Sequence, residues 1–146
     1  MEQVILRKTF EKLEVEELYQ ILDLRSKVFI MEQTCLYQDI DGLDRMSIHY
    51  MLKKDGLLVS YLRLMPPGLR FLEHTLSRIV VDPTHRHQGY ATKLIKKAMQ
   101  DIKGLPIRIS GQAYLKDYYE SLGFSIVKGT YLEDGIPHYE MFTKNE

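Results

Sequence analysis

The stretch from Ser77 to Ala98 leaves few folds open. Ile79-Val80-Val81 is a β-branched run suited to a buried strand. Asp82-Pro83 ends it, because proline has no N–H to give a ladder. From Gly89 the pattern turns helical: Ala91, Leu94, Ile95, Ala98 and Ile102 recur on one side, with Lys93, Lys96 and Lys97 on the other. The order is strand, basic loop with one glycine, helix. The first N–H groups of a helix lack internal partners and carry partial positive charge. A phosphate placed there meets donors already aimed at it. Gly89 leaves such a ligand room, and His85, Arg86 and His87 add cationic capacity beside it. A dinucleotide fingerprint needs three glycines where this loop has one, and the P-loop pattern Gly-x-x-x-x-Gly-Lys-Ser/Thr does not occur.

The flanking segments set the class. Val4, Leu6 and Thr9-Phe10 read as a first strand, and Glu14 to about Gln33 as a helix with Leu18, Ile21, Leu22, Val28 and Phe29 on its apolar face. Arg25 falls on that face, so it must pair or reach solvent; Glu32 is one possible partner. Ser47–Lys53 and Leu57–Leu64 read as strands joined by Lys54-Asp55-Gly56, a hairpin signal. Leu76–Val81 follows Pro66-Pro67-Gly68 and a short lead-in at Arg70-Phe71-Leu72. After the loop helix come a strand at Ile107-Arg108-Ile109, a helix carrying Leu115, Tyr118, Tyr119 and Leu122, and Gly123 at its end. Strands at Phe124–Val127 and His138–Thr143 close the chain. Successive strands before a helix are not βαβ alternation. They predict one α+β domain over 1–146, built on a mixed sheet.

Several functions are disfavoured. With 20 Lys plus Arg against 20 Asp plus Glu, the net charge is zero, which argues against nucleic-acid binding by bulk charge. No apolar run approaches the ~20 residues of a membrane span. Met1-Glu2-Gln3-Val4 lacks the basic start of a signal peptide, and the lone Cys35 excludes an internal disulfide. The expectation is a cytoplasmic protein, monomeric or homodimeric, with no membrane or nucleic-acid partner. His85-x-His87 lacks further ligands at zinc spacing, and Asp41-Gly42-Leu43-Asp44 lacks the last acidic position of a calcium loop, so no metal is expected.

Arg86-His87-Gln88-Gly89-Tyr90-Ala91 resembles the Arg/Gln-x-x-Gly-x-Gly/Ala signature of the GNAT N-acetyltransferase superfamily. Gln112 to Phe124 resembles that family's Asn-x-x-Ala-x-x-Phe-Tyr-x-x-x-Gly-Phe segment, with Gln112 in the asparagine position, Leu115 in place of the alanine, and Tyr119 in the tyrosine position. Leu24 to Tyr37, with Asp39 and Asp41 after it, is similar to the ElaA-like subgroup, as are Arg63-Leu64, Pro66-Pro67-Gly68 and Tyr131 to His138. Leu36 stands where proline is common in that subgroup, and Ala91 where the loop often ends in glycine. The resemblance covers nearly the whole chain. It implies a mostly antiparallel central sheet flanked by helices on both faces. It also implies acetyl transfer from acetyl-CoA to a primary amine of a small molecule or peptide, by direct attack in a ternary complex.

On that resemblance the coenzyme site comprises Ile79, Val80 and Val81 along the strand, Arg86, His87, Gln88, Gly89, Tyr90, Ala91 and Thr92 in the loop, and Gln112 and Tyr119 beyond it. Tyr119 is the catalytic candidate, stabilising the leaving thiolate. Glu32, Asp39, Asp41 and His138 are candidates on the acceptor side. An amine with a pKa of ~10.4 arrives protonated, so the site needs a base. Residue type leaves Glu32, Asp39, Asp41, His74 and His138 all open. If Glu32, Asp39, Asp41 and Asp44, offset only by Arg45 and partly by Arg25, border the amine side of the cleft, their field favours cationic amines; the alternative is a solvated acidic loop with no substrate role. Two other readings stand beside the enzyme: a non-catalytic acyl-CoA sensor of the same fold, which would dispense with Tyr119, and an acyl-homoserine lactone synthase, against which the short chain and coenzyme loop count.

Overall fold

The computed structural model describes residues 2–146. Strands β1 (Gln3–Thr9), β2 (Ile48–Lys54), β3 (Leu57–Met65) and β4 (Thr75–Val81) form an antiparallel sheet in that order. Asp55 and Gly56, both with positive φ, make the β2–β3 turn, the geometry a two-residue hairpin prefers. A second antiparallel sheet has the order β5 (Ile107–Gln112), β7 (Ile136–Thr143), β6 (Ser125–Glu133).

The expected central sheet is therefore split. One parallel bridge, His74 to Ile107, joins the halves, where the Arg108 N–H donates to the His74 carbonyl at 3.0 Å. The bridge sits at the start of both β4 and β5. Among the described residues no ladder continues it, so the strands part and leave a wedge toward their C-terminal ends.

Helices cover both faces, as expected. β2 shows why: Tyr50 and Leu52 point to one core and Met51 to the other, the period-2 alternation of a strand buried on both sides. Helix α2 (Tyr90–Asp101) packs Leu94, Ile95 and Ala98 on the first core and leaves Lys93, Lys96 and Lys97 exposed. The short helix α3 (Lys116–Ser121) adds Tyr119 there and ends at Gly123, whose φ of +101 a side chain would resist. Helix α1 (Val15–Arg25) starts with a reciprocal Glu14–Glu17 capping box and packs Ile21 and Leu24 on Met51, Tyr61 and Val80. Among the described residues no helix is long and apolar enough to cross a membrane.

One element departs from its expectation. The helix predicted to about Gln33 is α-helical only to Arg25. Ser26–Glu32 continue as a wider π-helical segment, closed where the Gln33 N–H donates to the Val28 carbonyl at 3.1 Å. The wider turn brings Val28, Phe29, Glu32 and Gln33 to the wedge.

Candidate active site

The wedge holds a cavity of about 610 Å³. All twelve expected coenzyme residues line it: Ile79, Val80 and Val81 from β4, Arg86 through Thr92, Gln112 and Tyr119. At the loop end, Gly89 is the N-cap of α2 in the left-handed region, with φ +78 and no side-chain cap on the helix. A Cβ there would meet nothing within 4 Å, so backbone conformation rather than crowding calls for glycine. The first-turn amides of α2 thus lack a side-chain cap at the edge of the cavity. Two neighbouring bonds brace the loop: Tyr90 donates to Gln88 Oε1 at 3.0 Å, and Thr92 Oγ1 lies 2.7 Å from the Tyr118 hydroxyl. Arg86 is engaged by both oxygens of Glu32, at 2.7 and 2.5 Å, and that contact holds the Glu32 carboxyl below its ordinary range.

Strand β4 bulges beside the cavity. Tyr61 pairs with Val80 and Arg63 with Ser77, so Arg78 and Ile79 together stand opposite Leu62, and Arg78 has a φ of +53. Such a bulge takes backbone groups out of the ladder and re-aims them.

Tyr119 is buried, 7% exposed, yet its hydroxyl has no hydrogen-bond partner among the described residues. Phe124 and Tyr118 hold the ring by edge contacts, with centroids 6.2 and 5.5 Å away. Gly111 makes the seat: a Cβ there would lie 2.9 Å from Tyr119 Cε2. Burial pushes the phenol above its ordinary pKa, with Tyr118 and Tyr114 adding to the shift. At neutral pH the hydroxyl therefore keeps its proton and can donate.

The other end of the cavity is built by the β6–β7 hairpin. His138 Nδ1 lies 2.7 Å from the Ile136 carbonyl, an acceptor only, which places the ring proton on Nδ1 and the lone pair of the neutral ring on Nε2. Nε2 is 3.6 Å from Glu133 Oε2. Glu133 accepts from Ser110 Oγ at 3.1 Å and from Arg70, and Ser110 also meets the Tyr131 hydroxyl at 2.6 Å. Sequence reasoning singled out His138 but missed Glu133, Ser110 and Arg70. Glu133 lay within the Tyr131–His138 segment that resembles the ElaA-like subgroup. Its approach to Ser110 across the sheet follows from register, which one sequence does not display.

The acidic loop corrects two expectations. Asp39 and Asp41 do not line the cavity, and neither does His74. Arg25, fully buried, pairs with Asp39 at 2.8 Å and Asp44 at 2.7 Å, not with Glu32. Arg63 grips both Asp41 oxygens at 2.9 Å and reaches Asp44 at 3.0 Å. Arg78 completes the cluster with Asp39 at 2.8 Å and Asp41 at 3.3 Å. Three arginines thus face three aspartates, so the expected anionic field is cancelled at its source. Burial alone would raise Asp41; bonds from Arg63 and the Leu43 N–H, with the Arg63 and Arg78 charges, outweigh it and bring the carboxyl down to about 2. Among the described residues no group of side chains could hold a metal ion. His85 lies beside Thr84 Oγ1 and Asp82 instead.

Comparison with known proteins agrees with this architecture. The family profile described as an acetyltransferase (GNAT) domain matches residues 8–144. A UPF0039 protein of Schizosaccharomyces pombe is 41% identical over 140 residues, covering 92% of each chain. The structure of an acyl-CoA N-acyltransferase from Pseudomonas aeruginosa is similar with a TM-score of 0.89 at 37% identity, over 96% of this chain and 99% of that one. Escherichia coli ElaA is 35% identical over 89% of each chain, and its structure matches with a TM-score of 0.90 over 97% of this chain and 99% of its own. A split antiparallel sheet, an uncapped helix start after β4 and a full-length match place the chain in the GNAT acetyltransferase family, in its ElaA-like branch.

Proposed function

We propose that this protein transfers the acetyl group of acetyl-CoA to a primary amine of a small molecule or peptide, by direct attack within a ternary complex. The observation that carries the reading is the wedge itself. It has uncapped helix amides at one end, an unpartnered tyrosine hydroxyl inside, and a histidine with its lone pair on Nε2 at the other end. The related Pseudomonas aeruginosa protein is described as an acyl-CoA N-acyltransferase, which supports the same chemistry here.

In this reading the amides of Arg86 to Thr92 hold the pyrophosphate, and the backbone of Ile79 to Val81 guides the pantetheine arm along β4. A backbone N–H released by the β4 bulge would stabilise the tetrahedral oxyanion. Tyr119 donates to the departing thiolate. A thiolate whose thiol has a pKa of ~8.5 does not take the proton of a phenol above 10, so Tyr119 works as a hydrogen-bond donor, not by full proton transfer. On the acceptor side we assign the amine's proton to His138 Nε2, with Glu133 placed to stabilise the imidazolium.

The test is thiol release from acetyl-CoA against a panel of primary amines, with Tyr119→Phe as the control. Turnover that falls ~10²-fold in Tyr119→Phe, at unchanged coenzyme affinity, is expected. Coenzyme binding with no thiol release for any amine would replace this reading with the sensor.

A further inference from the structure

Three residues at the end of the π-helical segment each cross to a different wall of the wedge. Glu32 takes Arg86 of the phosphate loop. Gln33 exchanges two amide bonds of 3.3 Å with Gln112, the last residue of β5. Cys35 Sγ donates to the Asp134 carbonyl of the β6–β7 turn at 3.0 Å. The segment is thus laced across the cavity that all these residues line. The laces are weak. The ion-paired side chains are 40% and 36% exposed, the amide bonds are long, and a thiol is a poor donor. Val28 and Phe29 anchor the π-helical run in the core beneath α1, but residues 32–35 place no side chain in either core, so little holds them once these contacts are gone.

We infer that Glu32–Cys35 is a latch that the coenzyme opens. The inference rests on the acetyltransferase reading above. Two of the three laces occupy groups on the coenzyme side: the Arg86 guanidinium and the Gln112 amide. A pyrophosphate offers that guanidinium more charge and the same bidentate geometry as the single carboxylate of Glu32. The amides of a pantetheine arm offer Gln112 what Gln33 offers. Glu32, left beside phosphate oxygens, is repelled. With two laces lost, only the Cys35 thiol ties the strap to the hairpin that carries His138 and Glu133.

The latch makes predictions that need no acceptor. Coenzyme A is titrated calorimetrically into the wild type, Glu32→Gln, Arg86→Gln and the double variant. Glu32→Gln removes the competitor for Arg86, so affinity should rise about fivefold, the upper range for an exposed pair. In the Arg86→Gln background the same change should gain less, because no pair remains to break and only the repulsion between Glu32 and phosphate is relieved. Deuterium exchange of residues 32–35 should speed up on adding coenzyme A, whereas a clamp would slow it. A wild type that takes no coenzyme A refutes the acetyltransferase reading and the latch with it. A wild type that binds overturns the latch alone in any of three cases: Glu32→Gln binds no tighter, the gain is undiminished without Arg86, or exchange at 32–35 slows.

Discussion

The molecule treats its carboxylates in two ways. Asp39, Asp41 and Asp44 sit in a cluster with Arg25, Arg63 and Arg78, two of those guanidiniums at 1% exposure or less. Glu32, seven residues before Asp39, meets Arg86 at the mouth of the wedge with two-fifths of its side chain in solvent. Both groups are arginine–carboxylate contacts of about 3 Å. The buried cluster is scaffold: breaking it strands charge away from water. The exposed pair is screened by water, and breaking it strands neither charge. Distance alone does not separate them; burial does.

The largest test of that contrast is in stability. Asp44→Ala leaves Arg25 and Arg63 short of a shared partner in the interior. It should lower unfolding free energy by about 3–5 kcal/mol in a denaturant titration, against less than about 1 kcal/mol for Glu32→Gln. Equal losses would erase the distinction.

The next effect falls on the chemical step. Gly111→Ala pushes a methyl to within 2.9 Å of the Tyr119 ring, so turnover should fall in the same direction as in Tyr119→Phe while coenzyme affinity holds. The drop should be smaller than the ~10²-fold of Tyr119→Phe, because the hydroxyl is displaced and not removed. Wild-type turnover in Gly111→Ala would mean that the seat of the ring does not matter.

Gly89→Val comes third. It places a β-branched residue at φ +78 and a side chain over the uncapped amides. Coenzyme A affinity should drop at least tenfold, about 1.4 kcal/mol, in a protein that still folds. Unchanged binding would move the phosphate elsewhere.

The remaining test is of acid stability. Asp41 is held at about 2 when folded, below its ordinary value near 3.8. A depressed carboxylate contributes stability above its unfolded pKa and loses it as pH falls through the folded one. Melting temperature should therefore owe nothing to Asp41 titration above about pH 4, and decline between about 4 and 2. Asp41→Asn should remove that portion of the decline. Glu32, also lowered but largely exposed, should leave a fainter trace in the same direction.

Local order along the chain was enough for much of this molecule. Ile79-Val80-Val81, Asp82-Pro83 and the Leu94–Ile95–Ala98 stripe specify strand, stop and helix from neighbours within a few residues. All twelve residues expected on the coenzyme side line the cavity, since most of them are contiguous. The Asp55-Gly56 hairpin and the Gly123 stop are likewise matters of local backbone preference. Charge was another matter. Arg25 lies 14 residues from Asp39 and Arg63 lies 22 from Asp41, so nothing local shows that the acidic loop would be neutralised. The split of the sheet at His74–Ile107 and the meeting of Glu133 with Ser110 are also settled by strand register at long range. The widening of the first helix after Arg25 goes with contacts its residues make on Arg86, Gln112 and Met51. Backbone conformation depends mainly on adjacent residues, so sequence determined the strand, loop and helix around Gly89. Electrostatic environment depends on which charges share a volume, so only the tertiary structure decided which carboxylates are paired in the interior and which meet solvent.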